Sequence, residues 1–295
     1  MKPFISFVAV VFLFSNTVYR CQAAIFTQDG TIGTGYNEST EIKNLATVNM
    51  TGGNSFGVWI HDYGMLNFLA GSISNVRVEN VGTMNLLGSS FEDVELRNLA
   101  KFNIGDGLFE GRITAWDSST TNINGGQVQQ GRLMANQYTV TNIYAGNVAW
   151  NEFRIGDYAV GNIYGGNISF DGLFSLQSFG VLNIFGGQIT HGTSSYIAVN
   201  DFATLNIYGG GSAILSNDFY LSDNAKINVY YSSYIRYKPQ DPYSPIIAYY
   251  LSDGSEFLPN QFTYDELSKI NFQYIPEPAT LCLLALGGLF LRRKA

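Results

Sequence analysis

The run Thr204-Leu205-Asn206-Ile207-Tyr208, which Gly209-Gly210 follows, is one of ten copies of the same short pattern. In an extended strand, Leu205 and Ile207 point to one face and Asn206 points to the other. The residue after the asparagine is apolar in every copy, and neighbouring copies lie 18 to 23 residues apart. The ten asparagines are Asn49, Asn67, Asn85, Asn103, Asn122, Asn142, Asn162, Asn183, Asn206 and Asn228.

Four further positions repeat in step with this asparagine. The fifth residue before it is Asn, Asp, Gln or Ser, the third before it is small, and glycine dominates three and four positions after it. Apolar residues seven and nine positions before it, such as Phe153 and Ile155, predict a second strand with one buried face. One such unit cannot bury its apolar face alone, whereas stacked copies share a continuous interior.

These patterns predict an all-β fold, a parallel β-solenoid of about ten coils over residues 24–233. Because connections between parallel strands are right-handed in nearly all proteins, we expect a right-handed solenoid. Coils of 18 residues also equal three hexapeptides, which leaves the left-handed solenoid as the alternative. Residues 234–274, rich in Tyr and Pro, are predicted to be a cap and linker in which residues 246–251 add a final strand.

The composition excludes several classes of function. Between residues 24 and 275, 11 Lys and Arg stand against 22 Asp and Glu, a balance of −11, so nucleic acid is not an expected partner. The two cysteines, Cys21 and Cys282, fall outside this part, which therefore has no thiol chemistry. His61 and His191 are 130 residues apart, and the chain carries no zinc, Ser-His-Asp or phosphate-loop motif. We therefore expect no cofactor, no metal and no enzymatic activity.

The N-terminus has the layout of a secretory signal peptide. Lys2 precedes the apolar residues 4–14, and Ala23 ends a polar stretch with a small residue suited to cleavage. We predict that residues 1–23 are this peptide and that the chain is exported. Acylation of Cys21 is the alternative for this end.

The C-terminus, residues 275–295, combines a turn, an apolar segment and a basic tip. Pro276, Glu277 and Pro278 interrupt regular structure, residues 279–291 are mostly apolar, and Arg292 and Arg293 would hold the end on the cytoplasmic side. A helix of this length reaches about 20 Å, short of the roughly 30 Å hydrocarbon core. We predict a short transmembrane helix that anchors the chain weakly, with a buried C-terminal helix as the alternative.

The order of these three parts at the C-terminus resembles the sorting signal of the PEP-CTERM family of exported bacterial proteins. The resemblance implies that an exosortase-type membrane peptidase removes the segment, so the chain is anchored to the membrane only before processing. It also implies a Gram-negative-type envelope and an association with exopolysaccharide. The expected location is the cell envelope, the cell surface or the extracellular matrix.

Two columns of outward-facing residues are candidate sites. Stacked coils align five aromatic rings beside the asparagines, and this strip offers sugar rings a hydrogen-bonding aromatic surface; the alternative is that stacked rings only stabilise adjacent coils. The acids five positions before the asparagines could bind calcium only if about six to eight oxygens converged on one point. Because these acids occur mostly one per coil, we favour a role in capping turns. The strip comprises Tyr144, Tyr164, Phe185, Tyr208 and Tyr230.

The function predicted from the sequence is that of an exported structural or adhesive β-solenoid of the cell surface or extracellular matrix. Right-handed β-helices also include enzymes that act on polysaccharides, so a lyase or hydrolase is the alternative. That chemistry requires paired carboxylates, or a calcium site beside a base, and the sequence contains no dense cluster of Asp, His and Arg.

Overall fold

The computed structural model of the chain describes residues 23–192, 196–210, 219–222, 224–236, 247–257 and 268–275. The predicted signal peptide, except Ala23, and the sorting residues Pro276, Glu277, Pro278, Arg292 and Arg293 lie outside this part of the chain. Within the described residues, no helix is both long enough and apolar enough to cross a membrane.

The regular elements of the described residues are 26 β-strands. The first thirteen are β1 (Ala24–Phe26), β2 (Gly30–Ile32), β3 (Thr40–Ile42), β4 (Thr47–Ser55), β5 (Val58–Ile60), β6 (Met65–Val78), β7 (Thr83–Leu86), β8 (Ser90–Leu96), β9 (Lys101–Ile104), β10 (Leu108–Phe109), β11 (Arg112–Ala115), β12 (Thr120–Ile123) and β13 (Gln127–Ala135). The others are β14 (Val140–Ile143), β15 (Asn147–Ile155), β16 (Val160–Ile163), β17 (Asn167–Leu176), β18 (Val181–Ile184), β19 (Gln188–His191), β20 (Tyr196–Val199), β21 (Thr204–Ile207), β22 (Phe219–Leu221), β23 (Lys226–Arg236), β24 (Ile247–Leu251), β25 (Glu256–Phe257) and β26 (Ile270–Tyr274).

Strands of successive coils pair in parallel, and equivalent residues lie opposite each other. Asn122 on β12 is opposite Asn142 on β14, which is opposite Asn162 on β16. The second strand repeats in the same way, with Phe153 on β15 opposite Phe174 on β17. The predicted all-β fold and parallel solenoid of about ten coils are thus confirmed. Its handedness stays a prediction.

The interior is a single hydrophobic core built from the predicted inward-facing columns. Three isoleucines that each directly follow a repeated asparagine, Ile143, Ile163 and Ile184, are 0% exposed. Full burial of one such side chain stabilises the fold by about 1.5–3 kcal/mol relative to exposure. The apolar contact six positions after the asparagine is also buried, as Val148 and Ile168 show.

Two corners turn each coil. The first corner precedes the strand that carries the repeated asparagine, and its residue five positions before that asparagine is called the Asx position. This residue adopts a left-handed conformation, as at Asn98 (φ 60°) and Asp157 (φ 51°), which asparagine and aspartate tolerate better than most residues. After the strand, glycine is required: Gly166 has φ 97°, and a Cβ there would lie 2.9 Å from the carbonyl oxygen of Gly146. The repeated glycines therefore let neighbouring coils approach closely at this corner.

A hairpin covers the C-terminal coil. β24 pairs antiparallel with β23 and with β25, which places the final strand expected at residues 246–251 over this end. Its turn binds the last glycine corner, because the Ser252 amide donates to Tyr208 O (3.0 Å) and the Gly210 amide donates to Asp253 Oδ2 (2.6 Å). A Cβ at Gly209 would lie 2.4 Å from Phe185 O, so this corner accepts only glycine without a shift of the backbone.

Four hydroxyl side chains point into the core of two adjacent coils. Ser119, Thr121, Thr139 and Thr141 are at most 1% exposed. Among the described residues, none of their hydroxyl groups has a hydrogen-bond partner. Equivalent inward positions in the other coils are Ala, Gly or larger apolar residues such as Val, Leu, Met, Phe and Ile, so the hydroxyls are not needed for the coil geometry. An unpartnered buried hydroxyl costs about 1–3 kcal/mol.

We expect Thr141→Val to raise the free energy of unfolding by about 1 kcal/mol, since it removes a buried hydroxyl and keeps the shape of the side chain. The measurement is chemical denaturation of the full chain. Thr204→Val, a half-buried position on the outer face of β21, is the matched control and should change stability by less than about 0.5 kcal/mol. A loss of stability at Thr141 would contradict the expectation and indicate an internal water bound to the hydroxyl.

The turn held by Asp253 should loosen at low pH. Burial raises the pKa of this carboxyl, but hydrogen bonds from Ser255 and from the Gly210 amide outweigh burial and lower the pKa below its usual value. A lowered pKa in the folded state means that the stabilisation is present above the unfolded pKa of about 3.9 and is lost as the pH falls through the folded value. We expect Asp253→Asn to melt at a lower temperature than the wild type near neutral pH, with a gap that closes in acid. A gap independent of pH would contradict this role.

Candidate functional site

The outer face of the repeated strand carries a continuous ladder of asparagine amides. In each rung, Nδ2 donates to Oδ1 of the asparagine in the preceding coil; from Asn67 to Asn228 the distances are 2.7–2.9 Å. All ten predicted asparagines belong to this ladder. Every bond has the same direction, because the strands are parallel and in register.

The ladder has one more rung than the sequence pattern indicated. Asn271 on β26 donates to Asn228 Oδ1 at 3.2 Å, because β26 pairs in parallel with β23 and places these two residues opposite each other. The 43 residues between them exceed any other step, so spacing could not identify Asn271. The segment Ile270-Asn271-Phe272 does have the apolar-Asn-apolar pattern of the repeat, and this was the available signal.

The predicted aromatic strip forms one column, which we call the aromatic column: Tyr144, Tyr164, Phe185, Tyr208 and Tyr230. Its rings stack face to face, with centroids 5.0 Å apart in the first three steps and 4.2 Å apart between Tyr208 and Tyr230. The interplanar angles are 5–12°. Each internal ring therefore covers the faces of its neighbours and presents its edge to solvent.

This geometry limits how the aromatic column can bind a ligand. Sugar rings that stack on an aromatic side chain need its face, and the faces of Tyr164, Phe185 and Tyr208 are covered by neighbouring rings. The edges carry the hydroxyls of Tyr144, Tyr164, Tyr208 and Tyr230. Burial, followed by the hydrogen bond and charge of Tyr230, raises the pKa of Tyr208, so its hydroxyl stays protonated at neutral pH. Glycan binding by this strip stays a prediction.

A second column of stacked aromatic rings lies at the N-terminal end of the strands that carry the asparagine ladder. It was not predicted from the sequence. We call it the corner column: Tyr138, Tyr158, Phe179 and Phe202, each four residues before a ladder asparagine. The centroids are 5.0–5.3 Å apart and the interplanar angles are 2–10°. These side chains are 46–64% exposed. The recurrence of aromatic residues at this position was the signal that could have revealed the column.

The residues five positions before the ladder asparagines, which form the Asx column, accept hydrogen bonds from backbone N–H groups of the preceding coil. The Asp157 carboxylate accepts from the Gln137 amide at 3.1 Å, and the Asp201 carboxylate accepts from the Ser178 amide at 3.0 Å. Asp117 accepts from the Asn98 amide in the same way at 2.9 Å. Each side chain thus caps the left-handed corner of the preceding coil, which supports turn capping. Among the described residues, no group of three or more His, Cys, Asp or Glu is placed to hold a metal ion.

A shallow charged groove crosses the second strand of the earlier coils. Arg97 Nη2 lies 2.7 Å from Glu95 Oε1, and Arg112 Nη2 lies 3.5 Å from Asp93 Oδ2. The hydrogen bond and charge of Glu95 raise the pKa of Arg97. Both carboxylates thus already have an arginine partner inside the protein. Trp59, Arg77 and Trp116 complete the lining.

Two further acids, Asp157 and Asp171, and the histidine His61 have separate partners within the described part of the chain. Asp157 caps a corner, whereas Asp171 accepts from Ser169 in another part of the coil. His61 Nε2 lies 2.9 Å from Glu41 Oε1. The side chain of His191, together with residues 218 and 223, lies outside the described part of the chain.

We expect Asn162→Ala to lower the free energy of unfolding by about 1–2 kcal/mol, because Asn162 both donates to Asn142 and accepts from Asn183 at 2.9 Å. Asn49→Ala is the matched control. Among the described residues, Asn49 makes a single ladder bond, which it accepts from Asn67, and its loss should cost about half as much. Chemical denaturation midpoints measure both changes. Equal effects of the two substitutions would contradict a ladder that acts through its hydrogen bonds.

Comparisons with known proteins identify one segment. Neither a curated protein nor a solved structure matches this chain. Residues 275–294 match the model of the PEP-CTERM protein-sorting motif. The chain therefore carries the PEP-CTERM protein-sorting motif, which marks it as an exported protein of the cell envelope that an exosortase processes.

Proposed function

We propose that this protein is a structural and adhesive element of the cell surface or extracellular matrix. Its exported part is a straight stack of about ten coils, roughly 45–50 Å long at the spacing of parallel strands. The observation that carries the proposal is the unbroken asparagine ladder, which runs the whole length of the stack with one bond per coil. The same residue repeats on this surface in every coil, which suits a structural role.

The acidic composition supports a role outside the cell in which the chain contacts other matrix components through selected surfaces. With a balance of −11 over residues 24–275, most of its surface repels anionic polymers. To exopolysaccharide, which the PEP-CTERM resemblance implies as a partner, the aromatic column offers only edges and hydroxyls, because its internal ring faces are covered. Binding there would rest on hydrogen bonds and not on stacking against ring faces.

A second candidate function, that of a carbohydrate-active enzyme, is favoured by the charged groove alone. Asp93 and Glu95 are two residues apart on β8 and share a face, so both carboxylates line the groove. Glycoside hydrolysis uses two carboxyl groups about 5–9 Å apart. Against catalysis, each carboxylate pairs with an arginine and would have to exchange that partner for the substrate.

The structural protein and the enzyme differ in whether the chain cleaves polysaccharide. We expect the full chain to release no reducing ends and no unsaturated sugars from neutral or uronate-containing polysaccharides. We also expect the Asp93→Asn, Glu95→Gln double variant to restore matrix cohesion as well as the wild type does in a strain from which the gene is deleted. Asp106→Asn, an exposed acid outside the groove, is the control. Release of products that only the groove variant abolishes would overturn the structural proposal in favour of the enzyme.

A further inference from the structure

We propose that the face carrying the asparagine ladder is a self-association surface on which a second copy of this chain docks face to face. We call it the ladder face: the outward residues four and two positions before each ladder asparagine, the asparagine itself and the residue two positions after it. The inference rests on the proposed structural function and names the partner of its adhesive surface.

The exposed apolar residues of the protein concentrate on this face. Twelve of the eighteen large hydrophobic side chains that are exposed in the described part of the chain lie along its two edges. Soluble proteins seldom expose so extended an apolar surface unless it contacts a partner. The twelve are Leu45, Tyr63, Leu69, Leu87, Leu99, Tyr138, Tyr144, Tyr158, Tyr164, Phe179, Phe185 and Phe202.

Charge is almost absent from the same surface. Across the four outward positions of the ten coils, the sequence places only Lys101 and Lys226, and no acid. The 22 Asp and Glu of residues 24–275 therefore lie on other surfaces, where two copies of the chain repel each other. With two lysines and no acid, the ladder face is a surface on which two copies meet while bringing few like charges together.

The size of the ladder face suits a second copy. Six residues separate its two edges, which is about 20 Å of extended chain, and ten coils stack to about 48 Å. Covering this area on both copies removes about 1,900 Å² from solvent, within the 1,200–2,000 Å² that specific protein interfaces bury. The C-terminal half alone supplies about half of this area, so stable docking needs the leucines of the earlier coils as well as the rings.

The chemistry of the face also favours a flat protein partner. Amide ladders and stacked rings recur in the dry interfaces of paired β-sheets, where each amide bonds along its own stack and the side chains of the two sheets interdigitate. Here each asparagine is already bonded within its own chain, as between Asn183 and Asn162. Docking therefore breaks no ladder bond. A sugar polymer gains less, because the internal ring faces are covered.

The test is sedimentation equilibrium of the full chain with and without Val160→Lys and Val181→Lys. Both valines stand two positions before a ladder asparagine, where Lys101 and Lys226 occur naturally in other coils. We therefore expect the double variant to keep the fold, and far-UV circular dichroism checks this. Ala149→Lys, on a different outer surface, is the matched control. We expect the wild type and the control to dimerise and the double variant to weaken dimerisation at least about 100-fold, because like charges meet across the interface.

A cysteine at position 181 supplies an independent readout. When the two stacks dock in parallel, position 181 of one copy lies near position 181 of the other, and Val181→Cys should form a disulfide-linked dimer on oxidation, whereas Ala149→Cys should form none beyond the background from Cys21 and Cys282. A monomeric wild type, or dimerisation indifferent to both lysines, would overturn the inference. A monomer that sediments with exopolysaccharide in a lysine-sensitive way would also overturn it and assign the face to a glycan. In that last case the structural function stands, since only product release in the turnover assay contradicts it.

Discussion

Parallel, in-register hydrogen bonding between successive coils is the constraint on which the rest of the structure depends. Because β-strands of neighbouring coils lie about 4.8 Å apart, every side chain is placed directly beside its equivalent in the next coil. A residue type is therefore acceptable only if it packs or bonds well against a copy of itself. Isoleucine does so in the core, asparagine on the outer face of the strand, and glycine at the second corner.

The same constraint explains where charges are allowed. Two carboxylates at adjacent rungs would repel each other at short range. In the Asx column from Asn44 to Asp201, no two acids occupy adjacent coils, because amide or hydroxyl residues such as Gln137 and Ser178 separate them. In the charged groove, Glu95 lies between the opposite charges of Arg77 and Arg97. Most acids of the Asx column are thus kept apart, although Asp223 follows Asp201 in this column, and on the second strand Arg112 lies opposite Arg132. Asparagine, in contrast, repeats in every coil.

Repetition also determines what the outer surface can recognise. A ring stacked on identical rings loses its faces and keeps its edge, so the aromatic column is a different surface from the open platforms that sugars stack on. An amide bonded to identical amides has its main partners within the chain. Both effects turn potential ligand-binding groups into structural ones and leave a flat face with few charges, which is suited to another flat surface.

The sequence by itself determined the solenoid, its ten asparagine rungs, the turn-capping residues of the first corner and the aromatic column, because each of these is a local pattern repeated at nearly constant spacing. The C-terminal motif is likewise local, since Pro276, Glu277, Pro278 and the basic tip lie within one short segment. Only the tertiary structure decided that Asn271 joins the ladder after a gap of 43 residues and that Asp253 binds the Gly210 amide. It also decided that the aromatic rings cover one another's faces and that Arg97 and Arg112 hold the two acids of the groove. The reason is physical: spacing specifies which residues stack, whereas ring tilt, hydrogen-bond direction and contacts across a long insertion depend on how the stacked coils and the cap pack together.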